Sequence, residues 1–158
     1  VLVTPRAGYP AYNQALARLT RSLLNEGVPV AAVALHAGHD DAEVDALRRA
    51  APGAEAWTAR APEELLELLP RASYVVSARL HGCVLAAAAG VGFAALTYDP
   101  KVAGFAALFG APAFGAPVDD AALLSAARAR PPLDLAVRDA QVRLARGGVG
   151  ALLEALGA

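Results

Sequence analysis

"YVVSARLHGCVLAAAAGVGFAALTY", Tyr74 to Tyr98, decides how the chain folds. It opens on an apolar run, Tyr74-Val75-Val76, of the kind that forms a strand buried on both faces. It closes on another, Gly92 to Tyr98. Between them the stretch from about Leu80 to Ala89 reads as a helix that ends at Gly90. A strand, a helix and a second strand in this order form one crossover unit of a parallel sheet. The junction carries an anomaly: Arg79 and His81 stand where an apolar strand passes into an apolar helix.

The alternation continues on both sides of this unit. "VLVTP" at the start reads as a strand, and "AYNQALARLTRSLLNEG" as an amphipathic helix with Leu16, Leu19, Leu23 and Leu24 on one face and Gly27 as its stop. "VPVAAVAL" is a continuous apolar strand. "DDAEVDALRRA" is a helix in which Asp40 and Glu43 have capping-box spacing. A short strand near Glu55 to Trp57 follows, then the helix "APEELLELLP", with Pro62 and two acids in its first turn. Downstream of Tyr98 come a short helix after Pro100, a weak strand near Ala113-Phe114, a helix capped by Asp119 or Asp120, and a last helix from about Asp134. Gly147, Gly148 and Gly150 are expected to break that last helix before "ALLEAL". Strands and helices in strict alternation predict an α/β chain: a Rossmann-like parallel sheet with helices on both faces. No internal repeat or linker divides it, so residues 1–158 are expected to form a single Rossmann-like domain.

Composition narrows the function. Hydrophobic residues make up 56 % and charged residues 18 %, which excludes disorder and favours a heavily buried architecture. A formal net charge of −1 provides no basic field for nucleic acid. The single cysteine, Cys83, rules out a disulfide within the chain and fits a reducing cytoplasm. The uncharged run from Gly82 up to, but not including, Asp99 is short for a membrane span and is punctuated by Gly90 and Gly92. The chain opens on Val1-Leu2-Val3, already strand-like, so it is expected to begin inside a longer polypeptide.

Ligands of parallel sheets bind beyond the carboxyl ends of the strands. Arg79 and His81 fall at one such end and Lys101 at the next, all at predicted helix starts. Helix N-termini disfavour cations by about 0.3–1 kcal/mol each. The arrangement becomes favourable once an anion such as phosphate or carboxylate joins it. His81 adds a group that gives up a proton near neutral pH. Blander readings stand beside this one. Arg79 and Lys101 can pair with Asp99 in a structural salt bridge, and a lone histidine at a strand end is more often structural than catalytic. Cys83 reads as a small buried hydrophobe rather than a nucleophile. His36 and His39 in "LHAGHDD" are a weak metal signal, better read as a polar loop before an aspartate N-cap. "GGVG" near the end follows a helix and so lacks the context of a phosphate loop. Arg6, Gly8 and Tyr9 after the first strand form a plausible rim.

"SARLHG" followed by "GVGFAALTYDPKVAGFAALFG" resembles the C-terminal half of polysaccharide pyruvyl transferases of the bacterial cell-wall type. The resemblance rests on Arg79-Leu80-His81 and, some twenty residues on, Tyr98-Asp99-Pro100-Lys101; "LHAGHDDAEV" adds a less specific likeness. It extends from Val1 to about Pro117. It implies one half of a fold like the glycosyltransferase B type, with a missing N-terminal domain as partner. The implied reaction moves a pyruvyl group from phosphoenolpyruvate onto two hydroxyls of a sugar such as N-acetylmannosamine, forming a ketal. His81 would be catalytic, and Arg79, Lys101 and Arg6 would bind substrate; no metal and no cofactor is called for. The acceptor would be a sugar or lipid-linked polysaccharide, which leaves room for peripheral membrane association. Two other functions remain open on the residues alone: the donor-binding domain of a nucleotide-sugar glycosyltransferase, and a non-catalytic binding domain.

Overall fold

The computed structural model describes residues 1–155. Strand β1 (Leu2–Thr4) leads into helix α1 (Pro10–Asn25), and the alternation continues through β2 (Ala31–Ala34), α2 (Asp41–Ala50), β3 (Glu55–Thr58), α3 (Pro62–Leu68) and β4 (Val75–Ser77). It then runs through α4 (Leu80–Ala88), β5 (Phe93–Leu96), α5 (Pro100–Leu108), β6 (Ala113–Phe114), α6 (Asp120–Ala129) and α7 (Leu135–Ala155). The strands form one six-stranded sheet in the order β3-β2-β1-β4-β5-β6. Every pairing is parallel. This is the Rossmann-like α/β architecture that the alternation predicts.

Strand order follows from how the chain is laid down. It builds outward from β1 to β3, then returns to place β4 on the free side of β1, in the register Leu2↔Val75, Val3↔Val76 and Thr4↔Ser77. The connections leaving β1 and β4 therefore diverge, and a crevice opens above their carboxyl ends. That register sets Thr4 beside Ser77 at the floor of the crevice.

Alternate strand residues feed two cores. Val3, Ala32, Ala34, Val76, Ala94 and Leu96 face α1, α2 and α6, where Leu16, Leu23, Leu47 and Leu123 meet them. Leu2, Val33, Val75, Phe93 and Ala95 face the other side, with Leu65 of α3, Cys83 and Ala86 of α4, and Val102 and Ala106 of α5. Each fully buried Leu, Val or Phe side chain contributes about 1.5–3 kcal/mol relative to exposure. Alanine does much of the contact work: Ala15, Ala86 and Ala106 are fully buried, which lets helices sit close to the sheet. At the edge, β3 is exposed along its length, and Trp57 remains 46 % accessible.

One local expectation fails. Helix α7 passes through Gly147, Gly148 and Gly150 without a break and continues to Ala155; Leu156, the end of "ALLEAL", lies outside the described residues. Glycine in a helix interior costs about 1 kcal/mol relative to alanine but raises no steric bar. Among the described residues no helix is long and apolar enough to cross a membrane.

Candidate functional site

The turn from β4 into α4 is assembled from small residues. Thr4 Oγ1 and Ser77 Oγ lie 2.5 Å apart, both buried. Ser77 Oγ donates to the Arg79 carbonyl at 2.6 Å and accepts from the Arg79 N–H at 3.0 Å. A hydroxyl has one proton, so Thr4 is the donor in the Thr4–Ser77 bond. A Cβ at Gly82 would lie 2.3 Å from Ser77 Oγ, and only glycine allows α4 to approach the strand end this closely. Cys83, one residue on, is fully buried. Burial pushes its thiol up to about 12, so it packs as a hydrophobe, as the sequence suggests.

Arg79 is the N-cap residue of α4, in extended conformation, with no side-chain cap bond. Its guanidinium meets Asp40 through two bonds, Nε to Oδ2 at 2.8 Å and Nη2 to Oδ1 at 2.5 Å. Asp40 is wholly buried, and its Oδ1 also accepts from the Ala7 N–H at 3.1 Å. One carboxylate thus ties together the loops that follow β1, β2 and β4. Two of the sequence-based expectations are corrected here. Asp40 does not close a capping box: it makes no side-chain bond to α2, because a guanidinium offers a buried carboxylate a stronger, charge-assisted partner than a helix N–H. Arg79 does not pair with Asp99, whose Oδ1 instead accepts from the Lys101 N–H at 2.8 Å and caps α5.

Arg6, on the loop after β1, is held differently. Asn13 of α1 grips its backbone from both sides, accepting from the Arg6 N–H and donating to the Arg6 carbonyl. The guanidinium carbon sits 3.9 Å from the Tyr98 ring centroid and 4.8 Å from that of Tyr9. The two rings are themselves 4.7 Å apart. Tyr12 fixes the end of β5 by donating its hydroxyl to the Thr97 carbonyl at 3.0 Å. The tyrosine of the Tyr98-Asp99-Pro100-Lys101 turn therefore serves as a cation–π face for Arg6, a contact usually contributing about 0.5–2 kcal/mol.

Between α3 and α4, above the strand ends, lies a cleft of about 460 Å³. Arg79 and His81 line it together, joined by His36 and by Arg60 from the loop after β3; Leu35, Leu65 and Leu85 form its apolar side. His81, in the first turn of α4, is exposed. His36 stacks on His39 with ring centroids 4.1 Å apart. The loop carrying them is pinned by Asp41, which accepts from the Gly38 N–H and the Thr58 hydroxyl. These two bonds, Thr58 first, lower the Asp41 carboxyl below its usual value. Among the described residues no group of three or more His, Cys, Asp or Glu is arranged to hold a metal ion. Lys101 is exposed, in the first turn of α5, and is not among the residues lining this cleft. The structure thus brings Arg79 and His81 into one cleft, seats Arg6 against the Tyr9 and Tyr98 rings, and leaves Lys101 outside the cleft. Sequence reasoning missed Asp40 as the partner of Arg79, and Arg60 and His36 as cleft residues.

The family model for polysaccharide pyruvyl transferase matches residues 2–100. The chain belongs to the polysaccharide pyruvyl transferase family. The family match takes in Arg6, Asp40, Arg79 and His81 and ends one residue before Lys101. Comparison with curated proteins gives no match. Among solved structures the chain is similar to "AtPrR2 in apo form", with a TM-score of 0.45 and 17 % sequence identity over 72 % of this chain. The chain spans 46 % of the length of that protein.

Proposed function

We propose that this pyruvyl transferase chain acts on phosphoenolpyruvate and on two hydroxyls of a sugar in a cell-wall polysaccharide, giving a cyclic pyruvyl ketal and phosphate. The observation that carries the reading is that Arg79 and His81, the polar pair of the β4–α4 junction, share one cleft at the carboxyl end of the sheet in a member of this family. In the reaction the methylene carbon of phosphoenolpyruvate gains a proton and becomes a methyl group. The adjacent carbon forms bonds to two sugar oxygens, and its bond to the phosphate oxygen breaks. Of the two hydroxyl protons released, one balances the proton placed on carbon and the other leaves with phosphate.

His81 suits the proton transfers, because an exposed imidazole on the cleft wall can both give and take a proton. Arg79 has its Nε–Nη2 edge on Asp40, so it meets a ligand through the remaining Nη1 edge, with its position fixed beforehand. Arg6 and Lys101 remain the other substrate-binding candidates, at the neighbouring strand ends. In this reading residues 1–158 form one Rossmann-like unit, the second half of a two-domain enzyme of the glycosyltransferase B type. The first half contributes to the acceptor site. The test is phosphate release from phosphoenolpyruvate with an N-acetylmannosamine acceptor, measured on the polypeptide carrying both halves. His81→Ala is expected to abolish turnover; ketal formation near the wild-type rate would remove His81 from the chemistry. Calorimetric titration with a UDP-sugar in place of phosphoenolpyruvate is expected to show no binding, and tight binding would favour a glycosyltransferase.

A further inference from the structure

The ion pair between Arg79 and Asp40 leaves the cleft short of charge. Asp40 is fully buried and bonded to Arg79 through both oxygens, so the two side chains together carry no net charge into the cleft. A phosphate dianion is held more strongly where an uncompensated cation joins the free N–H groups. Lys101 is not among the lining residues. Arg60 is. It follows β3, the edge strand, is exposed, and among the described residues forms no ion pair. Two carboxylates lie in its neighbourhood. Glu64 accepts from the Arg60 backbone N–H at 3.0 Å but lines the adjacent hollow beside Trp57 rather than this cleft. Asp41 feels the Arg60 charge only as the last of several influences, its oxygens being committed to Thr58 and Gly38. Glu64 thus meets the backbone of Arg60 rather than its guanidinium, and Asp41 has donors of its own.

We infer that Arg60 is a substrate-binding residue that supplies the net positive charge of the cleft and receives the phosphate of the donor, while the free edge of Arg79 meets the carboxylate. This rests on the proposed reading of the cleft as the phosphoenolpyruvate site. In this assignment Arg60, on the loop before α3, holds the phosphate on one wall of the cleft, and His81, on α4, serves the carbon.

The experiment titrates the polypeptide carrying both halves separately with phosphoenolpyruvate, inorganic phosphate and pyruvate, reading affinity from amide chemical-shift changes, in wild type, Arg60→Ala, Arg60→Lys and Arg49→Ala. Arg49 is an exposed arginine on α2 that controls for loss of one positive charge. Arg60→Ala should weaken phosphoenolpyruvate and phosphate by about tenfold and leave pyruvate within about twofold. Arg60→Lys should keep part of the affinity, and Arg49→Ala all of it. Wild-type phosphoenolpyruvate affinity in Arg60→Ala, with wild-type shifts still centred on the cleft, overturns the role of Arg60 and leaves the donor reading standing. Equal weakening of pyruvate, or an equal effect of Arg49→Ala, overturns the phosphate assignment. Absence of phosphoenolpyruvate binding to wild type, or shifts lying away from the cleft, overturns the donor reading itself and the role of Arg60 with it.

Discussion

Helices α4 and α5 leave adjacent strands at the same end of the sheet, and each carries a cation in or beside its first turn, yet they begin in opposite ways. The start of α5 is self-contained: Asp99 caps the helix through the Lys101 N–H, and Pro100 occupies the first turn. Everything it needs lies within three consecutive residues. The start of α4 is assembled from distant parts. Thr4 orients Ser77, Ser77 holds the backbone of Arg79, and Asp40 holds its guanidinium. No side chain caps it. A local cap serves the helix alone, whereas the start of α4 serves the cleft and depends on the sheet being correctly ordered.

The largest test of that contrast is Asp40→Ala. It strands the Arg79 guanidinium beside a buried void and should lower stability by about 3–5 kcal/mol in denaturant unfolding; a loss under about 1 kcal/mol would mean that the pair does not hold the junction. Next is Gly82→Ala, which places a methyl group against Ser77 Oγ and should destabilise by about 1–3 kcal/mol, with a fall in thermal midpoint. On the α5 side, Asp99→Ala should cost about 1 kcal/mol, the usual value of a lost cap, and leave the proposed phosphoenolpyruvate binding at Arg79 unchanged. Smallest, and opposite in sign to its α4 counterpart, is Gly104→Ala in α5. A Cβ there meets nothing within 4 Å, so the substitution should stabilise by about 0.5–1 kcal/mol. Destabilisation by Gly104→Ala as large as by Gly82→Ala would erase the distinction between the two helices.

The difference also marks what could be read from the chain itself. Element order was legible because apolar runs such as Val28 to Leu35 and stops such as Gly27 and Gly90 are local signals. The cationic helix starts were legible for the same reason. The Asp40–Arg79 pair was not: the partners follow β2 and β4, which are separated by β1, so their meeting depends on strand order rather than spacing. Asp40 also carried a competing local meaning as a helix cap. Arg60 belongs to no motif and gains significance only from the cleft around it. The glycines of α7 misled because a glycine lowers the stability of a helix without dictating its end.

Trp57 is the one tryptophan of the chain, and it sits half-exposed on the outermost strand rather than in either core. Its emission therefore starts from an already wet indole and shifts little when the cores come apart. Fluorescence from this chain reports on the sheet margin beside Glu55, whose carboxylate accepts from the indole N–H at 3.3 Å, and circular dichroism is the signal that follows global unfolding.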